Sequence, residues 1–273
     1  MKDILIIGGG WLGKPLAHYL ESIGNNVIVT RTSNDGVSLL KAESLQAKCL
    51  DLCGDFSHIA QTVKSTKANI VIGCFPPGFR SAFGDQYIRC WETLTKACLL
   101  AQVKRIVMVS STSVYPNLAK PMLEDDASWS KAAQDNNFSQ KATAMLQAEQ
   151  YVIDSGINYA IVRCSGLVGP ERHPSRFVNK MKQISTKAPA NMLHLNDAIG
   201  VINFITKHKN NIIINATTPN TVSKAEFYQA ALNSVGAKDV LPPLVQQEDK
   251  QILSTRLEEL GYRFHYKHTL ELV

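Results

Sequence analysis

The first fifteen residues restrict the fold of this chain more than any other stretch. Residues Ile4–Ile7 form an apolar run that is too short for a helix and is typical of a buried strand. Gly8, Gly10 and Gly13 follow it at once. Apolar side chains then recur at helical spacing, at Leu12, Leu16, Tyr19, Leu20 and Ile23. This order of strand, glycine turn and helix predicts the start of a βαβ unit.

The spacing Gly8-x-Gly10-x-x-Gly13 is, in this setting, the fingerprint of a dinucleotide-binding turn. The first glycine allows the tight bend, the second lets the backbone approach a pyrophosphate, and the third lets helix and strand pack closely. Trp11 and Leu12 lie within the turn, where the free N–H groups and dipole of the new helix favour phosphates. The alternative is a glycine-rich turn that binds nothing. The place of this turn at the start of a βαβ unit favours a cofactor site.

Strand and helix patterns alternate through most of the chain. Further strands are expected at 26–30, 47–50, 69–74, 104–110 and 157–163, with helical stretches at 56–65, 81–101 and 139–155. Strands that are apolar throughout require a parallel sheet that is covered on both faces. The predicted fold class is therefore α/β, a Rossmann doubly wound parallel sheet with helices on both faces.

The regular alternation of strand and helix patterns ends after Gly169-Pro170. We predict a dinucleotide-binding domain over residues 1–170 and a small C-terminal substrate lobe over residues 171–273. The expected lobe elements are a basic helical piece at 172–186, a helix at 196–207 capped by Asn196 or Asp197, a strand at 212–215, and helices at 223–235 and 255–260. No linker separates the two parts, so some lobe elements should return to the sheet and the chain should form a single structural unit.

Charge and cysteine usage narrow the classes of partner. The net charge is +6, but the sequence contains no block of Lys and Arg residues. This charge pattern suits an anionic small ligand rather than nucleic acid. No apolar run approaches the roughly 18 residues of a membrane span, and no signal-peptide pattern precedes the first strand. The six cysteines are scattered without a C-x-x-C pair, which is typical of reduced thiols in a cytoplasmic protein. His265 and His268 have no companion ligand at suitable spacing, so no metal site is expected.

The residues after the second strand favour one nicotinamide cofactor. An NAD-binding Rossmann protein usually has an acidic residue there for the ribose 2′-hydroxyl, whereas this chain has Arg31 and Thr32. A guanidinium with nearby hydroxyls suits a 2′-phosphate, so we predict NADP, with NAD as the alternative. Asp51, after the third strand, contacts the adenine or caps a turn. Ligands of open α/β sheets lie beyond the carboxyl ends of the strands, which adds Phe75, Pro76 and Pro77 to the expected cleft.

Five blocks of sequence together carry a family resemblance, at Gly8–Gly13, Ser110–Pro116, Ala148–Gln150, Arg163–Arg172 and His194–Asp197. Their order resembles the extended short-chain dehydrogenase/reductase superfamily and, more narrowly, the NAD-dependent epimerase/dehydratase family that acts on nucleotide sugars. The Gly-Gly-Gly-Trp-Leu-Gly start most resembles the YeeZ-like atypical subgroup. The resemblance implies a nucleotide sugar or small carbonyl substrate, and a homodimer that forms through the helices at 81–101 and 139–155.

The reaction implied by the resemblance is hydride transfer to or from a sugar carbon. In the family a Ser or Thr after the fifth strand holds the substrate oxygen, and a Tyr acts as general acid and base. A Lys four residues later lowers the pKa of that Tyr from about 10 toward neutrality. The Ser/Thr position corresponds to Ser111, for which a turn-forming serine is the alternative.

The family's Tyr and Lys do not map onto this chain. Counting back from Glu149, the Tyr position holds Lys141 and the Lys position holds Met145. Placing the family lysine on Lys141 instead puts Asn137 at the tyrosine, and no Y-x-x-x-K occurs on this helix. Lys141 could shuttle a proton only if burial or its neighbours prepared it for that role; a solvated lysine is the alternative.

The resemblance also assigns residues further along the cleft. Those expected to meet the cofactor are Ser110, Arg163 and Cys164, although the family usually has Pro where this chain has Cys164. Those expected to meet the substrate are Thr112, Tyr115, Arg172 and His194. In family members with this motif Tyr115 is not the catalytic tyrosine.

Three interpretations of function follow. The first is an NADP-dependent oxidoreductase or epimerase-like enzyme with a rearranged proton relay. The second is a catalytically inactive NADP-binding sensor or regulatory protein with an NmrA-like role. The third is a structural partner whose pocket is idle. The missing Tyr-Lys pair favours the second interpretation, while Ser111 and the basic segment after Arg172 favour the first.

Overall fold

The computed structural model of the chain describes residues 1–77, 84–238 and 240–273. The strands are β1 (Asp3–Ile7), β2 (Asn26–Arg31), β3 (Gln46–Cys49), β4 (Ile70–Gly73), β5 (Arg105–Ser111), β6 (Pro121–Met122), β7 (Asn158–Cys164), β8 (Gly166–Val168), β9 (Ile184–Ser185), β10 (Met192–His194), β11 (Ile212–Ala216), β12 (Leu244–Val245) and β13 (Gln251–Ile252). The helices are α1 (Gly13–Ser22), α2 (Asn34–Ala42), α3 (Phe56–Ser65), α4 (Gly84–Leu100), α5 (Trp129–Ala132), α6 (Gln140–Ile153), α7 (Leu195–Ile205), α8 (Lys224–Ser234) and α9 (Thr255–Glu259). Short 3-10 helices span Thr112–Val114, Glu124–Asp126, Pro174–Lys180 and Thr269–Leu272.

A seven-stranded parallel sheet forms the centre of the fold, in the order β3-β2-β1-β4-β5-β7-β11. This order reverses direction between β1 and β4, which is the point where open α/β sheets leave a crevice beyond the strand ends. The predicted doubly wound Rossmann sheet is confirmed. Strand β11 pairs with β7, so the chain after residue 170 returns to the sheet.

The alternation of side chains along β1 shows why both faces of the sheet are covered. Ile4 and Ile6 pack in one apolar cluster with α1 and α7. Leu5 and Ile7 point the opposite way, into a second cluster with α3, α4 and α6. Because successive strand residues face opposite sides, an apolar run such as Ile4–Ile7 is stable only when helices lie on both sides.

Helix α4 lies close to the sheet because β4 ends in a glycine. A Cβ on Gly73 would lie 2.3 Å from the ring of Trp91, which is fully buried. The large ring therefore occupies the space that a side chain at this position would need. The contact places the first two turns of α4 beside the carboxyl end of β4. The helix predicted for 81–101 is observed from Gly84, and residues 81–83 lie outside the described part of the chain.

The predicted lobe, residues 171–273, contributes α8 and four short strands; β9 pairs with β12, whereas β10 and β13 pair with β8 and β6 from the earlier part of the chain. Its own apolar cluster surrounds Val178, Phe227 and Leu232. The helix predicted for 172–186 is wrong. Residues Pro174–Lys180 form a 3-10 helix and Ile184–Ser185 pair with β12, because this long-range strand pairing overrides the local helical pattern.

Two helix starts also differ from the predictions. Helix α7 begins at Leu195, and its N-cap is His194 rather than Asn196 or Asp197. The Asp197 carboxylate is buried and accepts N–H bonds from His265 and from the residue after it. Helix α2 is not indicated by the sequence, because its nine residues include a glycine. Its first turn is stabilised by the N-cap Ser33, whose hydroxyl oxygen accepts the backbone N–H of Gly36.

Candidate functional site

The glycine turn after β1 has the geometry that its spacing predicts. Gly8 has a φ of +100°, a conformation that side-chain-bearing residues rarely adopt, and a Cβ there would lie 3.1 Å from the backbone nitrogen of Phe75. A Cβ on Gly13 would lie 2.1 Å from the carbonyl oxygen of Gly8. The turn therefore leaves a bare backbone cradle at the start of α1. The side chain of Leu12, by contrast, is buried in the apolar cluster under the sheet.

A cavity of about 470 Å³ opens beside this turn, beyond the carboxyl ends of the strands next to the crevice. Its volume lies in the range of small-molecule sites, about 300–1,000 Å³. Eight residues predicted to bind the cofactor line it: Gly8, Gly10, Arg31, Thr32, Asp51, Phe75, Pro76 and Pro77. Sequence reasoning missed five further lining residues, which come from the turn after β3 and from α4: Leu52, Cys53, Gln86, Tyr87 and Cys90. Gln86, Tyr87 and Cys90 lie on neighbouring positions of α4, so they could be predicted to line the cavity once it is known which face of that helix points to it.

Arg31 folds back over the glycine turn. Its Nη1 donates a hydrogen bond to the carbonyl oxygen of Gly9 at 3.1 Å, and a Cβ on Gly36 would lie 2.9 Å from its Nε. The side chain is half-buried, and within residues 1–77, 84–238 and 240–273 it forms no ion pair. The cavity therefore contains a positive charge that is held in place by backbone contacts.

Asp51 serves the turn after β3 and also faces the cavity. One of its carboxylate oxygens accepts the backbone N–H of Cys53 at 3.0 Å, while the residue is exposed on the cavity wall. The two interpretations offered for Asp51 are thus compatible. The carboxylate shapes the turn and also presents an acceptor to a ligand.

At the end of β5, Ser111 and Ser113 form a pair of hydroxyl groups. The backbone N–H of Ser113 donates to Ser111 Oγ at 3.2 Å, and the Ser113 hydroxyl lies 3.0 Å from the same oxygen. The Ser113 hydroxyl also lies 3.3 Å from the sulfur of Met145 on α6. Thr112, in the 3-10 turn between the serines, is half-buried. The predicted substrate-oxygen residue, Ser111, is therefore accessible beside an apolar side chain.

Three predicted contact residues point into the protein interior instead of the cleft. Ser110 donates its hydroxyl proton to Glu149 at 2.6 Å, and the guanidinium of Arg163 pairs with the same carboxylate at 2.7 Å. The Tyr115 hydroxyl donates to Asn215 at 2.6 Å and accepts from Arg163 at 3.1 Å. Burial raises the pKa of Tyr115 to about 12. These contacts hold the three side chains in the interior, because buried polar and charged groups must be paired internally. The roles of Ser110 and Arg163 as cofactor contacts and of Tyr115 as a substrate contact stay predictions, which this geometry disfavours for the side chains.

Cys164 lies beside this buried network at the end of β7. It is 3% exposed and packs in the apolar cluster against α7. Burial raises the pKa of its thiol to about 12, so the sulfur remains neutral. Its side chain packs between the sheet and α7 and does not line the cavity beside the glycine turn.

The opposite rim of the cleft brings three predicted site residues together, Trp11, Arg172 and His194. The indole N–H of Trp11 donates to the carbonyl oxygen of Pro170 at 2.7 Å, and the guanidinium carbon of Arg172 lies 4.3 Å from the centre of the Trp11 ring. A Cβ on Gly169 would lie 3.4 Å from Trp11 and 3.5 Å from the Nε2 of His194. The glycine turn and the expected substrate rim are therefore in direct contact.

His194 is fixed in orientation by the helix that follows it. Its Nδ1 accepts the backbone N–H of Asn196 at 3.1 Å, so a neutral ring carries its proton on Nε2. Burial lowers the pKa of His194 below the usual 6.5. The ring therefore presents an uncharged N–H donor toward the Gly169 side of the cleft.

A sequence model of the NAD dependent epimerase/dehydratase family matches residues 4–198, which is well over half of the chain. The chain belongs to this family. Protein YeeZ of Escherichia coli strain K12 is 28% identical over 283 aligned positions, which cover 99% of this chain and 98% of that protein.

Solved structures with the family fold cover essentially the whole chain. The Bordetella bronchiseptica enzyme WbmH in complex with NAD+ superimposes with a TM-score of 0.77 at 16% identity, covering 100% of this chain and 96% of that one. UDP-glucose 4-epimerase from Thermotoga maritima with UDP-glucose gives 0.76 at 15% identity, with coverage of 98% and 97%. At such identities the likeness shows the fold alone.

The resemblance predicts that Lys141 and Met145 on α6 take the positions of the acid–base pair. Lys141, at the predicted tyrosine position, is exposed in the first turn of α6. Met145, at the predicted lysine position, is 1% exposed and touches the Ser113 hydroxyl. Lys141 and Met145 are four residues apart, so they share one face of the helix and Lys141 lies one turn further out.

In residues 1–77, 84–238 and 240–273, no three His, Cys, Asp or Glu side chains are grouped as metal ligands. In that part of the chain no helix has both the length and the apolar character needed to span a bilayer. The absence of a metal from the reaction stays a prediction.

Proposed function

We propose that this protein binds a nicotinamide dinucleotide in the cleft beside the glycine turn, and prefers NADP to NAD. The observation that carries the proposal is Arg31, whose guanidinium lies over the turn inside the cavity. The glycine turn supports a pyrophosphate site, because Gly8 and Gly13 allow its tight packing and a Cβ on Gly10 would meet only Arg31 Nη1, at 3.9 Å, which leaves that backbone open to a ligand. Relatives of the same fold bind NAD, as in the WbmH complex.

In the proposed complex each part of the cavity meets one part of the cofactor. Backbone N–H groups at the start of α1 meet the pyrophosphate. Arg31 and Thr32 meet a ribose 2′-phosphate, and Asp51 accepts from the adenine amino group. Trp11 and Arg172, stacked on each other, stand between this half and the substrate half.

We propose that the reaction is hydride transfer on a nucleotide sugar or a small carbonyl compound, with the nicotinamide supplying or receiving the hydride. Ser111 accepts hydrogen bonds from Ser113, which leaves its own proton for a substrate oxygen. Lys141 lies one turn beyond Met145 on the same helix face, and its flexible side chain is the proposed source of the proton that the family takes from tyrosine. His194 and Arg172 are the proposed substrate contacts on the opposite rim.

The experiment that tests this function supplies NADPH or NADP with a panel of sugar nucleotides and small carbonyl compounds. Absorbance at the reduced-nicotinamide band reports turnover, and fluorescence titration reports binding of each cofactor separately. Turnover with any member of the panel supports the enzyme. Absence of turnover together with tight cofactor binding contradicts the enzyme and leaves cofactor binding intact.

Replacing Ser111 by alanine should lower kcat/KM by about tenfold, the effect of losing one neutral hydrogen bond to the reacting oxygen. Cofactor affinity should not change, since Ser111 does not line the cavity beside the glycine turn. Ser57→Ala, at an exposed position on α3, is the matched control. An activity that survives Ser111→Ala unchanged rules out this role for the hydroxyl.

The second candidate function is a catalytically inactive NADP-binding sensor, which the contact between Met145 and Ser113 favours. An apolar thioether at this position cannot lower the pKa of a neighbouring acid as an ammonium group does. Tight NADPH binding without turnover on the whole panel, together with a change in protease sensitivity on binding, is the result expected of a sensor.

We also propose that the protein forms a homodimer through α4 and α6. The two helices pack in the same apolar cluster on one face of the sheet. Leu99 and Leu100, at the end of α4, are 58% and 61% exposed. Light scattering should give twice the chain mass of 30.1 kDa, and a monomer at micromolar concentration would contradict the proposal.

A further inference from the structure

Two cysteine side chains meet on the wall of the cofactor cavity. The sulfur atoms of Cys53 and Cys90 lie 3.5 Å apart, and both residues line the cavity. Cys53 belongs to the turn after β3, whereas Cys90 lies on α4. Both thiols are free.

The two sulfur atoms are brought together by a set of contacts around the turn. The N–H of Cys53 bonds to Asp51 at 3.0 Å, and the N–H of Gly54 bonds to the Asp51 carbonyl oxygen at 3.2 Å. The side-chain amide of Gln86 donates to the Cys53 sulfur at 2.8 Å. Gln86 and Cys90 are four residues apart and therefore share one face of α4. The turn after β3 therefore packs against that face of α4 through non-covalent contacts.

The two thiols differ in their exposure to solvent. Cys53 is exposed, so it is the sulfur that a dissolved oxidant reaches first. Cys90 is half-buried, and burial followed by its contact with Cys53 raises the pKa of its thiol to about 12. Because the thiolate is the reactive form, Cys90 is the poorer first nucleophile.

We propose that Cys53 and Cys90 form a reversible disulfide that weakens binding of the nucleotide cofactor in this cavity. The oxidant is a hydroperoxide. The Cys53 thiolate attacks its O–O bond, which gives a sulfenic acid and, from hydrogen peroxide, hydroxide that takes up a proton as water. The Cys90 sulfur then attacks Cys53, the S–S bond forms and a second water leaves. Two thiols and one hydrogen peroxide thus become one disulfide and two waters, and a dithiol reductant reverses the step.

The disulfide has a mechanical effect on the cavity. An S–S bond is about 2.05 Å long, so the sulfur atoms must approach each other by about 1.5 Å. The turn that carries Asp51 and Cys53 is on one wall of the cavity, and Gln86 and Cys90 are on another. Drawing these walls together narrows the space for the adenosine half of the cofactor. This consequence depends on the proposed cofactor site, whereas disulfide formation does not.

Linkage gives a second consequence. If the disulfide lowers cofactor affinity by a given factor, bound cofactor makes the disulfide easier to reduce by the same factor. In a thiol–disulfide redox buffer, we therefore expect saturating NADPH to shift the Cys53–Cys90 equilibrium toward the two free thiols.

The experiment uses the full chain, reduced with dithiothreitol, desalted and treated with about one equivalent of hydrogen peroxide. Alkylation and peptide mass mapping should show a bond between Cys53 and Cys90, absent from Cys53→Ser and from Cys90→Ser. Cys49→Ser removes a half-buried thiol at the end of β3 and should leave the bond unchanged. Titration with NADPH should show at least about a fivefold loss of affinity on oxidation, the lower end of ordinary coupling between sites, and recovery with dithiothreitol.

The other possible results overturn either the disulfide or its effect on cofactor binding. Sulfenic or sulfinic acid on Cys53 without a bond to Cys90 overturns the disulfide. A Cys53–Cys90 bond with unchanged NADPH affinity overturns its effect on the cofactor. A reduced protein that binds neither NADPH nor NADH contradicts the proposed function and that effect together, while the mass map still decides whether the disulfide forms.

Discussion

Replacing Arg31 by glutamate should lower the affinity for NADPH by about 100-fold or more and change the affinity for NADH far less. The guanidinium is the positive charge held over the glycine turn, and its proposed partner is the 2′-phosphate that only NADPH carries. A hydrogen bond to a charged group contributes about 1.5–3 kcal/mol. A carboxylate in the same place also repels the phosphate, which costs several kcal/mol more. Each 1.4 kcal/mol is a factor of ten in affinity.

The position of Arg31 makes this effect specific. Its Nη1 donates to Gly9 and its Nε lies against Gly36, so the side chain is seated between the turn and the start of α2. A carboxylate after the second strand is the usual partner of the NAD ribose. Arg31→Glu should therefore retain NADH binding and reverse the cofactor preference.

The measurement is a pair of fluorescence titrations, with NADPH and with NADH, on each variant. Arg263→Glu makes the same charge change at an exposed position outside the cavity and is the matched control. An equal loss of both cofactors in Arg31→Glu, or a comparable NADPH loss in Arg263→Glu, would show that Arg31 does not bind a 2′-phosphate.

The sheet and one half of the cavity could be predicted because their signals are local. The apolar run Ile4–Ile7, the glycine spacing after it and Arg31 at the end of β2 each lie within a few residues of the element that they define. The lobe could not be predicted in the same way. Its strand pairs are two or three residues long and join segments distant in the chain, as when Ile184–Ser185 pair with Leu244–Val245. No local periodicity encodes such a pairing.

The direction in which side chains point was the second feature that could not be predicted from the sequence. Arg163 and Ser110 lie in motifs that end at the cleft, and proximity along the chain suggested that they contact the cofactor. In the sheet Ser110 pairs in register with Arg163, and Arg163 with Asn215, so these neighbours share one face. That face is covered by α6, which contributes Glu149. Sequence alone did not show that this Glu149 carboxylate would hold both side chains in the interior.

A large effect on stability is also expected from breaking the buried ion pair between Arg163 and Glu149. Arg163 is 0% exposed and Glu149 is 1% exposed. All five N–H groups of the guanidinium have acceptors: the two Glu149 oxygens, the Tyr115 hydroxyl, and the carbonyl oxygens of Glu124 and Ala127. Burial alone would lower the pKa of Arg163, but the Glu149 carboxylate raises it above the usual range. The ion pair therefore connects β7, α6 and the segment before α5.

Arg163→Met should lower the free energy of unfolding by about 3–5 kcal/mol, because it leaves the Glu149 carboxylate buried without its partner. Urea unfolding measures the loss. Arg176→Met, at an exposed arginine of the lobe, is the matched control and should change stability by less than about 0.5 kcal/mol.

A double-variant cycle separates the pair from the packing of either side chain. Arg163→Met combined with Glu149→Met removes both charges, and the stability lost in the single variant should be largely recovered, since apolar replacements of buried pairs are often neutral. A double variant as unstable as the sum of its parts would show that the pair itself is not the cause. Folded Arg163→Met, assayed in the absence of urea, should bind NADPH with unchanged affinity, because the guanidinium is turned away from the cavity. A loss of NADPH affinity in that folded variant would restore Arg163 to the cofactor site.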